Sequence, residues 1–156
     1  MQRPEIKTMA NLESAFAGES MAHIKYRYFA KIARAEGDEE TAKVFEETAN
    51  QEVQHALGHL DLLYPKAEMN TRRCLEMAIA GETYEYTEMY PGFLKTALAE
   101  GDAAASLEIS GQIEESKEHA ALFQATLAKA AKRFAALAKV EERHANHYRA
   151  TLAKLA

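Results

Sequence analysis

The chain has 156 residues, 47% of them hydrophobic, with Gly 7, Pro 3, Cys 1, no Trp and a net charge of −5. That length supports one domain with a real core, and so few glycines and prolines cannot supply the turns of an all-β fold. One cysteine cannot make an internal disulfide, a zinc ribbon or a four-thiolate iron site, and an acidic chain does not carry the footprint of a nucleic-acid binder.

Residues 1–10 lack the apolar centre of a secretory signal. No later stretch approaches the ~18 apolar residues of a membrane span, so a cytoplasmic chain without a membrane partner is expected. The first predicted helix covers 8–36 and ends on Gly37, and Asp38 caps a second over 38–64 that Pro65 stops. Thr71 is the expected N-cap of a third helix over 71–100, interrupted near Pro91, which removes the hydrogen bond to the Thr87 carbonyl and predicts a kink or bulge. Gly101 and Asp102 repeat the Gly-Asp boundary and open a fourth helix. Ala, Glu, Lys, Leu and Met fill these stretches, and all favour helix.

The chain repeats itself. AFAGES (15–20) returns as AIAGET (78–83), offset by 63, and FAKIARAEGD (29–38) as FLKTALAEGD (93–102), offset by 64. The second offset also carries His55-Ala56 onto His119-Ala120. Residues 8–64 are therefore one helical hairpin and 71–130 a second copy of it. HAALFQATLAK (119–129) recurs as HANHYRATLAK (144–154), so 131–156 reads as an additional helix like the one before it. No Gly or Pro follows Gly111, which leaves open whether 102–156 is one helix or two. The expected fold is all-α, one domain over 1–156, a four-helix bundle with an extra C-terminal helix.

Two Glu-x-x-His motifs, Glu52…His55 and Glu141…His144, each place a carboxylate and an imidazole on one helix face. Glu82 and Glu85 form a similar pair, and Glu19 matches Glu82 through the repeat. One Glu from each of two helices plus Glu-x-x-His from each of two others is the ligand plan of di-iron and di-manganese carboxylate bundles. Carboxylate oxygen and imidazole nitrogen suit first-row divalent cations, and a cluster of buried carboxylates without a cation would be costly. Position 116, where the hairpin repeat calls for Glu, is Ser. The intact motif at Glu141 and His144 is the favoured one, with His119 and Glu115 as the alternative. If the chain turns near 130, the two sets share one level. In a continuous helix they lie ~33 Å apart. His59 and His147 read as surface or neighbouring histidines, and Cys74 as an ordinary helix residue.

With AFAGESMAHIKYRYFA, ETANQEVQHA, AGETYEYTEMYPGF and LAKVEERHANHY, the sequence resembles the erythrin domain of rubrerythrins, within the ferritin-like superfamily. The resemblance implies two non-haem iron ions, with manganese or a mixed pair as the alternative, and peroxidase activity on hydrogen peroxide. It assigns Glu19, Glu52, His55, Glu82, Glu85, Glu141 and His144 as ligands, with His55 and Glu85 exchanging on oxidation. It matches Tyr26 and Tyr90 to tyrosines that hydrogen-bond the ligating carboxylates; core packing is the other reading of both. The lone Cys74 implies that the family's Cys-rich rubredoxin domain is missing and that a separate donor, such as a rubredoxin-type protein, supplies electrons. Iron oxidation or storage, oxygen reduction and a non-enzymatic interaction module are the competing readings.

In ferritin-like bundles the second and third helices run parallel, joined by a long crossover. The crossover here would climb ~34 Å, from the level of Glu52 to Tyr64 and back from Thr71 to Glu82. Residues 65–70 span at most ~24 Å. A homodimer that exchanges hairpins resolves the mismatch and is the expected assembly.

Overall fold

A computed structural model describes residues 7–154. Its regular elements are all helical: α1 (Thr8–Ala35), α2 (Glu39–Leu63), a 3₁₀ turn (Lys66–Glu68), α3 (Thr71–Tyr84), a π-helical turn (Glu85–Met89), α4 (Tyr90–Glu100) and α5 (Ala103–Leu152). The all-α expectation holds, with no strand among the described residues. The chain divides into two compact units, Met1–Met69 and Asn70–Ala156. Each is one hairpin: α1 against α2, and the bent α3–α4 rod against α5.

Both hairpins turn by the same device. Gly37 and Gly101 adopt φ 84° and 74°, the left-handed region that costs glycine nothing. The following N–H groups of Asp38 and Asp102 then reach back to the Ala33 and Ala97 carbonyls at 2.9 and 3.0 Å. Each aspartate at once caps the next helix, Asp38 Oδ1 accepting from the Thr41 N–H and Asp102 Oδ1 from the Ala105 N–H, both at 2.9 Å. The third start differs from expectation. Asn70 rather than Thr71 is the cap, because its Oδ1 accepts from the Arg73 N–H at 3.0 Å while Thr71 already lies in the helix.

In the first unit, Ala30, Ala33 and Ala42 form the buried centre, with Phe45 packed on it. Small side chains let the helix axes approach closely, and Phe29 and Phe45 close the end edge-to-face at 5.6 Å. Arg34 clamps the turn with four hydrogen bonds, two to each of Glu39 and Glu46. The Arg34 hydrogen bonds hold both carboxyls below the usual glutamate value of 4.5. Their contribution is therefore present above the unfolded-state value and disappears as pH falls through the lower folded values. An Arg34→Gln variant should melt below the parent at neutral pH. The gap should narrow in acid and close once both carboxyls are protonated, which circular dichroism melts across the acid range would show. A gap independent of pH would contradict the clamp.

In the second unit, the interruption expected at Pro91 is the π turn at Glu85–Met89, one helical step before Pro91 enters α4. The separate extra helix over 131–156 is not found, because α5 runs unbroken from Ala103 to Leu152. Asn70, Thr71 and Arg72 at the start of α3 share one shallow cavity with Phe134. Residues 135–152 of α5 thus extend ~27 Å beyond the start of α3.

Candidate metal centre

In the first unit Glu19 on α1 and Glu52 and His55 on α2 converge. One ligand atom from each lies within 4.8 Å of the others. The i,i+3 spacing does what was expected of it, with His55 Nδ1 donating to Glu52 Oε2 at 2.8 Å. Register between the helices is pinned beside this group by His23, one turn beyond Glu19. Its Nδ1 donates to the Ala49 carbonyl at 2.8 Å, one turn before Glu52. His23 stands outside every Glu-x-x-His pattern, and only the pairing of the helices reveals its part.

The second unit builds the counterpart. His119 Nδ1 on α5 is 3.5 Å from Glu82 Oε2 on α3. That carboxylate oxygen is buried without a hydrogen-bond partner among the described residues. Glu85, the first residue of the π turn, accepts a hydrogen bond from Ser116 Oγ at 3.0 Å. Ser116, at 3% exposure, is the buried polar side chain of this hairpin. Burial pushes the Tyr90 hydroxyl above its usual pKa, and the charges of Glu85, Glu82, Glu108 and Glu115 push the same way. Its ring rests edge-on against Phe93. Tyr26 instead packs its ring on Phe29 and Phe45, and its hydroxyl makes no hydrogen bond to Glu19 or Glu52 among the described residues.

Glu141 and His144 are not brought to Glu82. They lie on the exposed extension of α5, with Oε2 and Nδ1 3.8 Å apart and ~33 Å along the axis from His119. The physical reason is the absence of a turn near 130. Of the alternative set, His119 faces Glu82 on α3, while Glu115 is exposed one turn earlier and its charge is felt at Tyr90 on α4.

Each hairpin thus presents carboxylate and imidazole together. The donor set is oxygen and nitrogen without thiolate, which suits iron or manganese. An unpartnered, buried Glu82 oxygen is also what a cation would satisfy. Glu19, Glu52 and His55 fit such an ion, and Glu82 with His119 offers a second oxygen–nitrogen pair.

A family model described as Rubrerythrin matches residues 10–127. A rubrerythrin of Porphyromonas gingivalis is 37% identical over 158 aligned positions, covering 94% of this chain and 66% of that protein. Rubrerythrin-1 of Clostridium acetobutylicum is 35% identical, covering 78% of this chain and 70% of that protein. A solved structure of nigerythrin in its fully reduced, all-ferrous state is 31% identical over 83% of this chain and 70% of that one, with a TM-score of 0.41. The chain spans about two-thirds of the length of the two curated relatives.

Proposed function

We propose a function from one premise: this chain belongs to the rubrerythrin family. The reading is a di-iron peroxidase that reduces hydrogen peroxide to water with electrons from a separate donor, such as a rubredoxin-type protein. The observation that carries it is the convergence of Glu19, Glu52 and His55 in the first hairpin, to which the second hairpin adds Glu82 with His119 at 3.5 Å, and Glu85. Bound iron supplies the two electrons that hydrogen peroxide takes up, with two protons, as its O–O bond breaks to leave two water molecules.

The chain's own residues have defined tasks. Glu19, Glu52, Glu82 and Glu85 would hold the ions and offset their positive charge. His55 and His119 bind as neutral imidazoles and leave the total charge unchanged. Tyr90 stays protonated well above neutral pH, so its hydroxyl can donate to a ligating carboxylate rather than compete with it. The short link between the hairpins favours exchange between two copies. The 3₁₀ turn at Lys66–Glu68 rises only ~2 Å per residue, which shortens the reach further. We take the assembly to be a hairpin-exchanged homodimer.

The direct test is anaerobic reduction followed by stoichiometric peroxide. Return of the visible absorption of oxidised iron, at one peroxide per pair of ions, supports the reading; no return overturns it. Iron content separates the enzyme from a storage protein, with about two ions per subunit expected for paired sites. A further expectation concerns α5. His119→Ala should lose most of the bound iron, whereas His144→Ala should keep it, measured by metal analysis of the purified variants. The reverse result would return the ligand role to Glu141 and His144.

A further inference from the structure

The two hairpins are related by sequence, yet their ligand sets are not copies. By the offsets of 63 and 64, Glu19, Ala22, Glu52 and His55 correspond to Glu82, Glu85, Ser116 and His119. Each hairpin holds two carboxylates and one imidazole, but the second has moved one carboxylate from α5 to the π turn. The hydrogen bond marks the move. Ser116 occupies the place of a glutamate, is 3% exposed, and its Oγ donates to Glu85 Oε2 at 3.0 Å. A glutamate at 116 would put a second anion where the Glu85 carboxylate now lies.

We infer that Ser116 is a positioning residue that anchors Glu85 as a permanent ligand, standing in for the carboxylate absent from position 116. The inference rests on the di-iron reading above. It departs from the exchange of His55 and Glu85 that the family resemblance implies. A carboxylate that swings away would break the cross-helix hydrogen bond from the buried Ser116 hydroxyl. It would also withdraw one of the two carboxylates, Glu82 and Glu85, assigned above to this hairpin's ligand set. Both effects hold Glu85 in place in either oxidation state. Glu85 opens the π turn, and from there its carboxylate meets Ser116 of α5.

The test is to move the carboxylate. Anaerobic titration with ferrous iron should give two ions per centre for the parent and about one for Glu85→Ala. The double variant Glu85→Ala with Ser116→Glu should recover the second ion. Helix content by circular dichroism, with Glu85→Gln measured beside Glu85→Ala, keeps loss of a ligand separate from loss of fold. Ser116→Ala should retain two ions but bind the second about tenfold more weakly. It should also gain a change in histidine coordination between the reduced and oxidised states, read by pulsed electron paramagnetic resonance of the mixed-valent and cryoreduced forms, that the parent lacks. A parent that binds two ions while Glu85→Ala also binds two overturns this inference alone. So does Ser116→Ala behaving as the parent in both affinity and coordination. A parent that binds no iron overturns the di-iron reading and this inference with it.

Discussion

Adding ferrous or manganous ion to the metal-free protein should raise its thermal midpoint by about 10–20 °C, and a chelator should reverse the gain. A ligand at a hundredfold its dissociation constant stabilises by about 2.7 kcal/mol, so two ions contribute about 5 kcal/mol. For a chain of this size each kcal/mol shifts the midpoint by about 2–4 °C. The structural basis is Glu82, whose Oε2 is buried without a hydrogen bond among the described residues, with the His119 imidazole 3.5 Å away, and the close approach of Glu19 and Glu52. A Glu82→Gln substitution gives a sign that a generic packing defect does not. Removing a charge buried without a hydrogen bond should leave the metal-free protein at least as stable as the parent, while the gain on adding metal falls by half or more. Differential scanning calorimetry with and without chelator reads both. Identical melting of metal-free and metal-treated parent protein would contradict the centre.

The fold was legible wherever a local rule settles the outcome. Gly37-Asp38 and Gly101-Asp102 each combine a left-handed C-terminal residue with an N-cap, and both appear as read. Pro91 announced its interruption, although not that the helix would widen into a π turn and place Glu85 opposite Ser116. The continuity of α5 was not legible, because repetition in sequence says nothing about a break in the chain. A 25-residue offset is about seven turns at 3.6 residues per turn, so His144 recurs on nearly the face of His119 without any bend. Nothing between Ala130 and Val140 opposes helix, and the local preference prevails. Among the candidate carboxylates, Glu52, Glu82 and Glu85 stand out by i,i+3 spacing and Glu19 by the internal repeat. The His23 and Ser116 contacts were not, since each depends on which residue of the neighbouring helix lies opposite.

Placing an aspartate at Ile24 should convert the proposed homodimer to a monomer. Helix α1 carries two apolar stripes. One, with Ala30 and Ala33, is buried against α2, while Met21, Ile24, Tyr28 and Ile32 recur at helical spacing and stand 60%, 63%, 61% and 42% exposed. Ile24 also borders an open apolar groove with Phe16, Val53, Leu57 and Leu60. A contiguous apolar surface of this kind on a hairpin without large buried side chains marks a face that another element must cover. In a two-fold dimer each copy presents Ile24, so a substitution acts twice. Losing about 1.5 kcal/mol of burial at each copy, at the low end for a fully covered isoleucine, weakens association by about 100-fold. Sedimentation velocity should show the parent as a dimer and Ile24→Asp as a monomer at the same concentration. The thermal midpoint of the parent should rise with protein concentration, and that of the variant should not. A parent that stays monomeric with its metal bound would rule out hairpin exchange, and the second stripe of α1 would then have to be covered within one chain.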